Sequence, residues 1–535
     1  MNLPPLPSSE PSASPAALPR QEVSAKSAGR GGVAILGAKV YFVLIGLVQQ
    51  IALKAVLGLA GYGAYSTAQA VASITYNPVV QASIQGVSRT LAATDEAERP
   101  ALLRSALRLH GLWAVLLGLS FFAVAGPIGA LLGATHLVGS IRILAAVVVV
   151  YGVYAPLIGA LNGQKRFLAQ AGLDVAAATL RTAGLLLGAW LYVRVRGHDE
   201  SGAVEAANAG FVLASLLILV TAAAITGLGR AGPAPLNARR YAAFTVPVLG
   251  GQFLLNLLFQ ADSLLLRRFL GEAALGRGLG PEAADRFVGA YRAAQMFCFL
   301  PYQLLMSVAF ILFPLLAEAS GRGLDADVRR LVRGGLRLGT IATGAMVTAL
   351  LAVPEGLIAL VYGTDAAVLG APAMRPLAVG LGTFALVGLI TSALNSLGRA
   401  KASLKVTAIA TLLVTAFCFA AGFRAELGAD LLVRTAFATS AALVIACAVS
   451  ASVLRRVAGA SLDLKTLART ALSVAGAAAL TSALLRASGA SGALLTLALG
   501  GFAVAVYLLL LVLSRELRPA DLEQLRALFG RPRSN

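Results

Sequence analysis

Long apolar segments separated by short polar segments run through most of the chain. A membrane-crossing helix needs about 20 mostly apolar residues, and fourteen segments meet that criterion. They are 33–57, 64–88, 106–131, 141–162, 168–192, 203–226, 241–268, 288–316, 332–362, 373–396, 403–422, 430–453, 470–486 and 493–514. The pattern predicts an all-α polytopic membrane protein with about 14 transmembrane helices.

The two ends of the chain differ from this pattern. Residues 1–31 begin with a proline-rich stretch that has no apolar core, so we predict a disordered cytoplasmic tail. Residues 515–535 place Leu522, Leu525 and Leu528 on one helical face. This spacing predicts a cytoplasmic amphipathic tail lying on the membrane surface.

Sequence motifs recur in the same order in the two halves of the chain. Gly63-Ala-Tyr-Ser-Thr-Ala-Gln69 returns as Gly289-Ala-Tyr-Arg-Ala-Ala-Gln295, and Leu102-Leu-Arg before span 3 returns as Leu331-Val-Arg before span 9. Six predicted spans separate the copies, and an even number gives both copies the same orientation in the membrane. We therefore predict two parallel six-helix lobes with a cleft between them, as in alternating-access carriers.

The repeat predicts domain boundaries as well. The N-lobe covers 32–228 with spans 1–6, and the C-lobe covers 229–456 with spans 7–12. Residues 457–514 hold spans 13 and 14, which have no counterpart in the repeat and which we expect to face lipid.

Composition and charge support a membrane protein and give its orientation. The chain is 58% hydrophobic and 13% charged, whereas a soluble domain is about 25% charged. Its 44 Lys and Arg residues outnumber 24 Asp and Glu residues, for a net charge of +20. Most of the basic residues fall in alternate loops, so the positive-inside rule predicts that both termini are cytoplasmic. The net charge is explained by topology, and we predict no nucleic-acid partner.

Several function classes are disfavoured by what the loops contain. The predicted loops are too short for a soluble catalytic domain, and no P-loop motif is present for an ATP-driven pump. A membrane glycan polymerase or ligase normally needs a large external loop, which the sequence lacks. We therefore predict a transporter without catalytic residues, metal or cofactor, and leave coupling to H⁺ or Na⁺ open.

Polar residues inside the spans are the candidates for a binding site, because polar groups in hydrocarbon are costly and tend to face a cavity or a partner. They lie mainly on spans 1, 2, 7 and 8. The candidates are Lys39, Gln50, Lys54, Gln69, Asn77, Gln252, Asn256, Gln260, Asp262, Arg267, Arg292 and Gln295. We predict a cavity lined by these four spans, with buried interhelical hydrogen bonds as the alternative.

The charge of the predicted cavity is mainly basic, which suits a phosphate, a pyrophosphate or an acidic sugar. Asp262 is the nearby carboxylate, but it lies off the polar stripe and is open to pairing with a neighbouring helix. For Lys54 and Arg267 the alternative is snorkelling toward the external interface. Arg181 on span 5 shares a face with Asp174, and we interpret both as helix-packing groups.

The order of several motifs resembles a known superfamily. These are Leu59-Ala-Gly-Tyr-Gly-Ala-Tyr65, Ile84-Gln-Gly-Val-Ser-Arg-Thr90, Gly159-Ala-Leu-Asn-Gly163 and Gln260-Ala-Asp262. They resemble the multidrug/oligosaccharidyl-lipid/polysaccharide exporter superfamily, and specifically its bacterial polysaccharide-exporter (Wzx-like flippase) branch.

The resemblance implies two lobes in a V around a cationic cavity, with Lys39, Arg89 and Arg292 where basic cavity residues are expected. It implies a location in the bacterial inner (cytoplasmic) membrane and flipping of a polyprenyl-pyrophosphate-linked oligosaccharide, such as an O-antigen, capsule or exopolysaccharide repeat unit. The expected partners are this lipid-linked oligosaccharide, membrane lipids and other polysaccharide-assembly membrane proteins. The alternatives are a lipid II flippase of peptidoglycan synthesis and a cation-coupled drug antiporter of the same superfamily.

Overall fold

The computed structural model describes residues 25–197, 199–232, 236–488 and 492–517. All the regular elements in these ranges are helices, which confirms the predicted all-α fold class. The elements are α1 (Ala25–Ala92), α2 (Arg99–Leu131), a 3-10 turn (Thr135–Leu137), α3 (Val138–Gly163), α4 (Phe167–Arg196), α5 (Glu200–Thr226), α6 (Ala238–Gly276), α7 (Pro281–Cys298), α8 (Leu300–Gly321), α9 (Asp325–Ala352), α10 (Pro354–Tyr362), α11 (Thr364–Ser396), α12 (Ala400–Gly422), α13 (Ala429–Ala458), α14 (Leu464–Ser488) and α15 (Ala493–Leu513). Most of the predicted N-terminal tail and the amphipathic segment after residue 517 lie outside the described residues.

Twelve of the described helices are long and apolar enough to cross a membrane, or thirteen if one bent pair forms a single span. The 68-residue α1 covers both predicted spans 1 and 2 and is broken at Gly58, whose φ is 74°. Glycine adopts this left-handed region without steric cost. The protein is therefore a multi-pass membrane protein, and the exact number of fourteen spans stays a prediction.

Two of the predicted spans, 8 and 9, are each divided into two helices in the structure. Span 8 is interrupted at Phe299 between α7 and α8, and span 9 is interrupted at Val353 between α9 and α10. In each case a proline, Pro301 or Pro354, lies in the first turn of the second helix. Proline lacks the amide hydrogen that a continuous helix needs at that position, but it fits a first turn.

The two lobes meet where α1 packs against α6 and α7. We use N-lobe for α1–α5 and C-lobe for α6–α13. At the contact, a Cβ added to Gly63 would clash with the Asp285 carbonyl oxygen, and a Cβ added to Gly289 would clash with that of Leu59. The repeated Gly-Ala-Tyr motif thus brings the two backbones into close approach at the lobe interface.

Helices α14 and α15 pack on the C-lobe, mainly against α9. The buried Tyr507 hydroxyl donates to the Ile341 carbonyl oxygen at 2.8 Å. Beyond α15, Glu516 accepts hydrogen bonds from Arg337 of α9 (2.9 Å) and from Thr466 (2.8 Å) and Arg469 (3.0 Å) of α14. Burial raises the pKa of the Glu516 carboxyl, but these three donors outweigh burial, and the pKa is lowered.

Candidate functional site

A cavity of about 230 Å³ lies between the two lobes. It is smaller than the roughly 300–1,000 Å³ of typical pockets for drug-sized ligands. Side chains of α1, α4, α6 and α7 form its walls, together with Phe299, which follows α7. The residues around it are Gln49, Gln50, Tyr62, Tyr65, Ser66, Gln69, Ala70, Ser73, Tyr76, Arg181, Gln260, Arg292, Gln295, Met296 and Phe299.

Arg292 is the cationic group on the C-lobe side of the cavity. Its guanidinium donates to the side-chain oxygen of Gln295 at 2.5 Å and to that of Gln260 at 2.7 Å. Gln260 in turn donates to the Ser73 hydroxyl of the N-lobe at 3.4 Å. These partners are neutral, so these hydrogen bonds fix the guanidinium without cancelling its charge.

Arg181 is the cationic group on the N-lobe side. Its Nε donates to Gln49 Oε1 at 3.2 Å, an oxygen that also accepts from the Thr182 hydroxyl at 3.2 Å. The guanidinium lies 5.4 Å from the centre of the Phe42 ring. Arg181 also lines the cavity. It therefore joins α4 to α1 through Gln49, as a helix-packing group does, and in addition faces the cavity, which the sequence interpretation did not include. The signal for it was present, because an arginine in the middle of a span tends to face a cavity.

The polar first helices of the two lobes align at an offset of 213 residues, which matches Gly58 with Gly271 and places Gln49 and Asp262 at equivalent positions. Gln49 donates to the Tyr65 hydroxyl at 3.3 Å, and the Tyr291 hydroxyl donates to Asp262 at 2.9 Å. Each lobe therefore joins a buried polar residue of its first helix to the tyrosine of its Gly-Ala-Tyr motif.

Asp262 lies behind the cavity wall. Its side chain is buried, and it accepts from Gln295 at 2.9 Å as well as from Tyr291. Among the side chains that the structure describes around the cavity there is no carboxylate. The cavity thus presents two guanidinium groups from opposite lobes, an arrangement that attracts anions.

Two of the predicted basic residues lie at the end of the bundle that the charge distribution predicts to be external, which we call the outer end. Arg267 is fully buried and donates to Asp285 at 2.8 Å, so the snorkelling alternative was wrong for this residue. Asp285 also contacts His136 of the N-lobe at 2.7 Å. Lys54 pairs with Asp365 of the C-lobe at 2.9 Å. These contacts hold the two lobes together at the outer end and place both basic residues outside the cavity wall.

Of the other predicted residues, Gln69 and Gln50 line the cavity, and Gln69 donates to Asn208 at 3.1 Å. Asn77 donates to Asn256 across the lobe interface at 3.0 Å. This pair is an interhelical hydrogen bond of the kind that the alternative interpretation predicted.

Of the remaining three, Gln252 and Arg89 lie away from the described cavity wall. Gln252 accepts from Asn256 through its backbone oxygen at 2.8 Å. Arg89 is exposed at the inner end of the bundle, opposite the outer end, where its guanidinium lies 4.3 Å from the centre of the Phe244 ring. Lys39 belongs to α1, but its side chain lies outside the described part of the structure.

Comparison with known families agrees with this architecture. A family described as "Polysaccharide biosynthesis protein" matches residues 28–320, which is more than half of the chain. The chain belongs to this family. It is thereby placed in the multidrug/oligosaccharidyl-lipid/polysaccharide exporter superfamily of membrane transporters.

Solved structures share the fold of this polysaccharide biosynthesis family member. The lipid II flippase MurJ in an inward closed conformation is 14% identical, with a TM-score of 0.72 over 90% of this chain and 99% of that chain. A multidrug resistance MATE family transporter in an inward-facing conformation is 14% identical, with a TM-score of 0.61 over 80% and 99%. A superfamily transporter from Pyrococcus furiosus, described as having a binding pocket of reverse polarity, is 15% identical, with a TM-score of 0.54 over 81% and 96%. No curated protein sequence matches the chain.

Proposed function

We propose that this protein is a flippase that moves a polyprenyl-pyrophosphate-linked oligosaccharide across a bacterial inner membrane by alternating access. The observation that carries the proposal is the pair Arg181 and Arg292, which approach one cavity from opposite lobes with no carboxylate among the described side chains around it. Guanidinium groups bind phosphate oxygens through paired, charge-assisted hydrogen bonds. A pyrophosphate has two phosphate groups, one for each arginine.

The size of the cavity supports a charged headgroup as the part that is recognised. A volume of about 230 Å³ is too small for a whole oligosaccharide. With the lobes joined at the outer end, the site would contact the pyrophosphate, and the glycan would need separation of the lobes. The lipid tail would stay in the bilayer, since moving each CH₂ group into water costs about 0.8 kcal/mol of free energy.

Lipid II, the peptidoglycan precursor, is the second candidate substrate. The structural similarity to MurJ covers 90% of the chain with a TM-score of 0.72, against 80% and 0.61 for the MATE transporter. A pyrophosphate-linked substrate suits the two arginines in either case. A cationic drug does not, because two guanidinium groups would repel it.

Proteoliposomes that contain a fluorescent polyprenyl-diphosphate oligosaccharide test the proposal. Arg181→Gln and Arg292→Gln should each lower the transport rate by about tenfold or more, because each removes a charge-assisted contact to phosphate. Arg142→Gln is the matched control, since Arg142 is an exposed arginine that lies over the Phe122 ring outside this cavity. Wild-type transport by the double variant Arg181→Gln/Arg292→Gln would refute the proposal.

Cells distinguish the two substrates. Deletion of the gene should cause oligosaccharide-lipid to accumulate on the cytoplasmic leaflet, with peptidoglycan synthesis unchanged. Rescue of a lipid II flippase-depleted strain, with normal surface polysaccharide in the deletion strain, would favour the second candidate instead.

A further inference from the structure

Asp262 is a buried carboxylate that lies next to the cavity without lining it. Three donors converge on its two oxygens: the Ser263 backbone amide on Oδ1 at 2.7 Å, and the Tyr291 hydroxyl and the Gln295 amide on Oδ2, each at 2.9 Å. An ionised carboxylate is an acceptor only. The Ser263 amide and the Gln295 NH₂ group can only donate, and the Tyr291 hydroxyl donates as well, which are the surroundings that an ionised carboxylate needs.

The carboxylate decides which way the Gln295 amide points. Because Asp262 accepts, the NH₂ group of Gln295 must face it, and the amide oxygen then faces the opposite way. That oxygen accepts from Arg292 at 2.5 Å. A reversed amide would turn its NH₂ group toward the guanidinium, and two donors cannot form a hydrogen bond.

We infer that Asp262 is a positioning residue, which acts through Gln295 to hold Arg292 in place at the cavity. The inference rests on the proposed function only for the identity of the anion that Arg292 receives. It assigns Asp262 no contact with substrate, although the sequence pattern groups it with the binding residues.

The surroundings of Asp262 do not favour the other interpretation, a cation-binding carboxylate. The void beside it measures about 10 Å³, which is about the smallest space that can hold one water molecule. Besides Asp262, the oxygen-bearing side chains around it are those of Gln295 and Thr439, and the others are apolar. Gln295 already directs its NH₂ group, and not its oxygen, toward the carboxylate.

The first test measures binding of farnesyl diphosphate and farnesol to purified full-length protein in detergent. The wild type should prefer the diphosphate, and Arg292→Gln should lose that preference. Asp262→Asn should weaken diphosphate binding by about tenfold, because Arg292 is displaced and its charge-assisted contact with the diphosphate is weakened. Farnesol binding should stay unchanged, because the protein remains folded. Asp325→Asn, an exposed acid-to-amide change at the start of α9, is the matched control. If Asp262→Asn binds like the wild type while Arg292→Gln does not, the inference is overturned and the proposed function stands.

The second test needs no substrate and therefore separates the two proposals. Phenylglyoxal modifies free guanidinium groups, and peptide mass spectrometry reports the rate at Arg292. Asp262→Asn and Gln295→Met should both accelerate modification of Arg292. The double variant Asp262→Asn/Gln295→Glu should restore slow modification, because the amide introduced at position 262 can donate to the carboxylate introduced at position 295, while that carboxylate accepts from Arg292. A merely structural role for Asp262 would give no such rescue. Equal rates in all variants, or a wild-type rate that depends on Na⁺ and loses this dependence in Asp262→Asn, would overturn the inference.

Discussion

The ion pair between Arg267 and Asp285 gives a prediction about stability. The side chains are 0% and 2% exposed, and the Arg267 Nε lies 2.8 Å from Asp285 Oδ1. Removing one partner of a buried pair costs about 3–5 kcal/mol, because the other charge is left uncompensated. Asp285→Asn should therefore lower the free energy of unfolding by about that amount.

The described contacts of Arg267 leave little to replace the lost charge. Its other hydrogen bond is a long one, 3.4 Å to the Leu132 carbonyl oxygen, and its Nη2 has no partner among the described residues. Arg267→Met removes the stranded charge itself. In a double-mutant cycle, Arg267→Met combined with Asp285→Asn should cost less than the sum of the single changes, with a coupling of about 1–3 kcal/mol.

Three free cysteines make the measurement direct, because Cys298, Cys418 and Cys447 are all buried in the C-lobe. A thiol-reactive fluorophore therefore reports the unfolding of this lobe during heating or denaturation in detergent. The exposed pair Arg268–Glu272 supplies the control: Arg268→Met should cost less than about 1 kcal/mol. Additive effects of Arg267→Met and Asp285→Asn would show that the pair is not an energetic unit and would refute the reasoning.

Three further changes test the closed lobes and the added helices. Lys54→Glu should slow transport, because two acidic side chains at the outer end would oppose contact between the lobes. Adding Asp365→Lys to the same protein should restore transport. If the exchanged charges do not restore it, this ion pair does not hold the outer end together. Gly289→Ala should lower the unfolding midpoint through about 1–3 kcal/mol of steric strain against the Leu59 backbone. Gly276→Ala should not, because the space around its Cβ is open. Equal midpoints would contradict the close approach of the two backbones. Because the folded pKa of Glu516 is lowered, its stabilisation of α14 and α15 is present at neutral pH and is lost as pH falls below about 4.3 and through the folded pKa. Proteolysis of these helices should increase in that range, and the Glu516→Gln variant should lack this dependence.

The sequence predicts the helices and the faces that carry polar residues, because helix period and span length are local properties. Gln260, Arg292 and Gln295 belong to these polar faces, and the structure joins them by hydrogen bonds. Arg267 lies on the same stripe as Gln260, yet it is paired with Asp285 from α7 at the outer end. A helical wheel gives the direction of a side chain and contains no information about depth or about the neighbouring helix.

Arg181 shows what the sequence pattern missed. Its helix is not one of the four that carry polar stripes, and Asp174 two turns away offered a local explanation for the charge. In the structure the Arg181 Nε donates to Gln49, a residue of another helix. The tertiary arrangement of α1 and α4 decides this contact, and neither helix alone contains it.

Under the proposed function, the internal repeat accounts for how two lobes of different sequence each present a fixed arginine to one anion. Gln49 and Asp262 lie at equivalent positions, and each fixes an arginine, directly in the N-lobe and through Gln295 in the C-lobe. The arginines come from non-equivalent helices, α4 and α7. The repeat therefore relates the two residues that hold the arginines, and not the arginines themselves. Arg181 is held by the neutral side chain of Gln49. Arg292 is held by Gln295, which in turn donates to the carboxylate of Asp262. In both lobes the guanidinium keeps its positive charge toward the cavity, and an anion bound between them would join the two halves that alternating access must move.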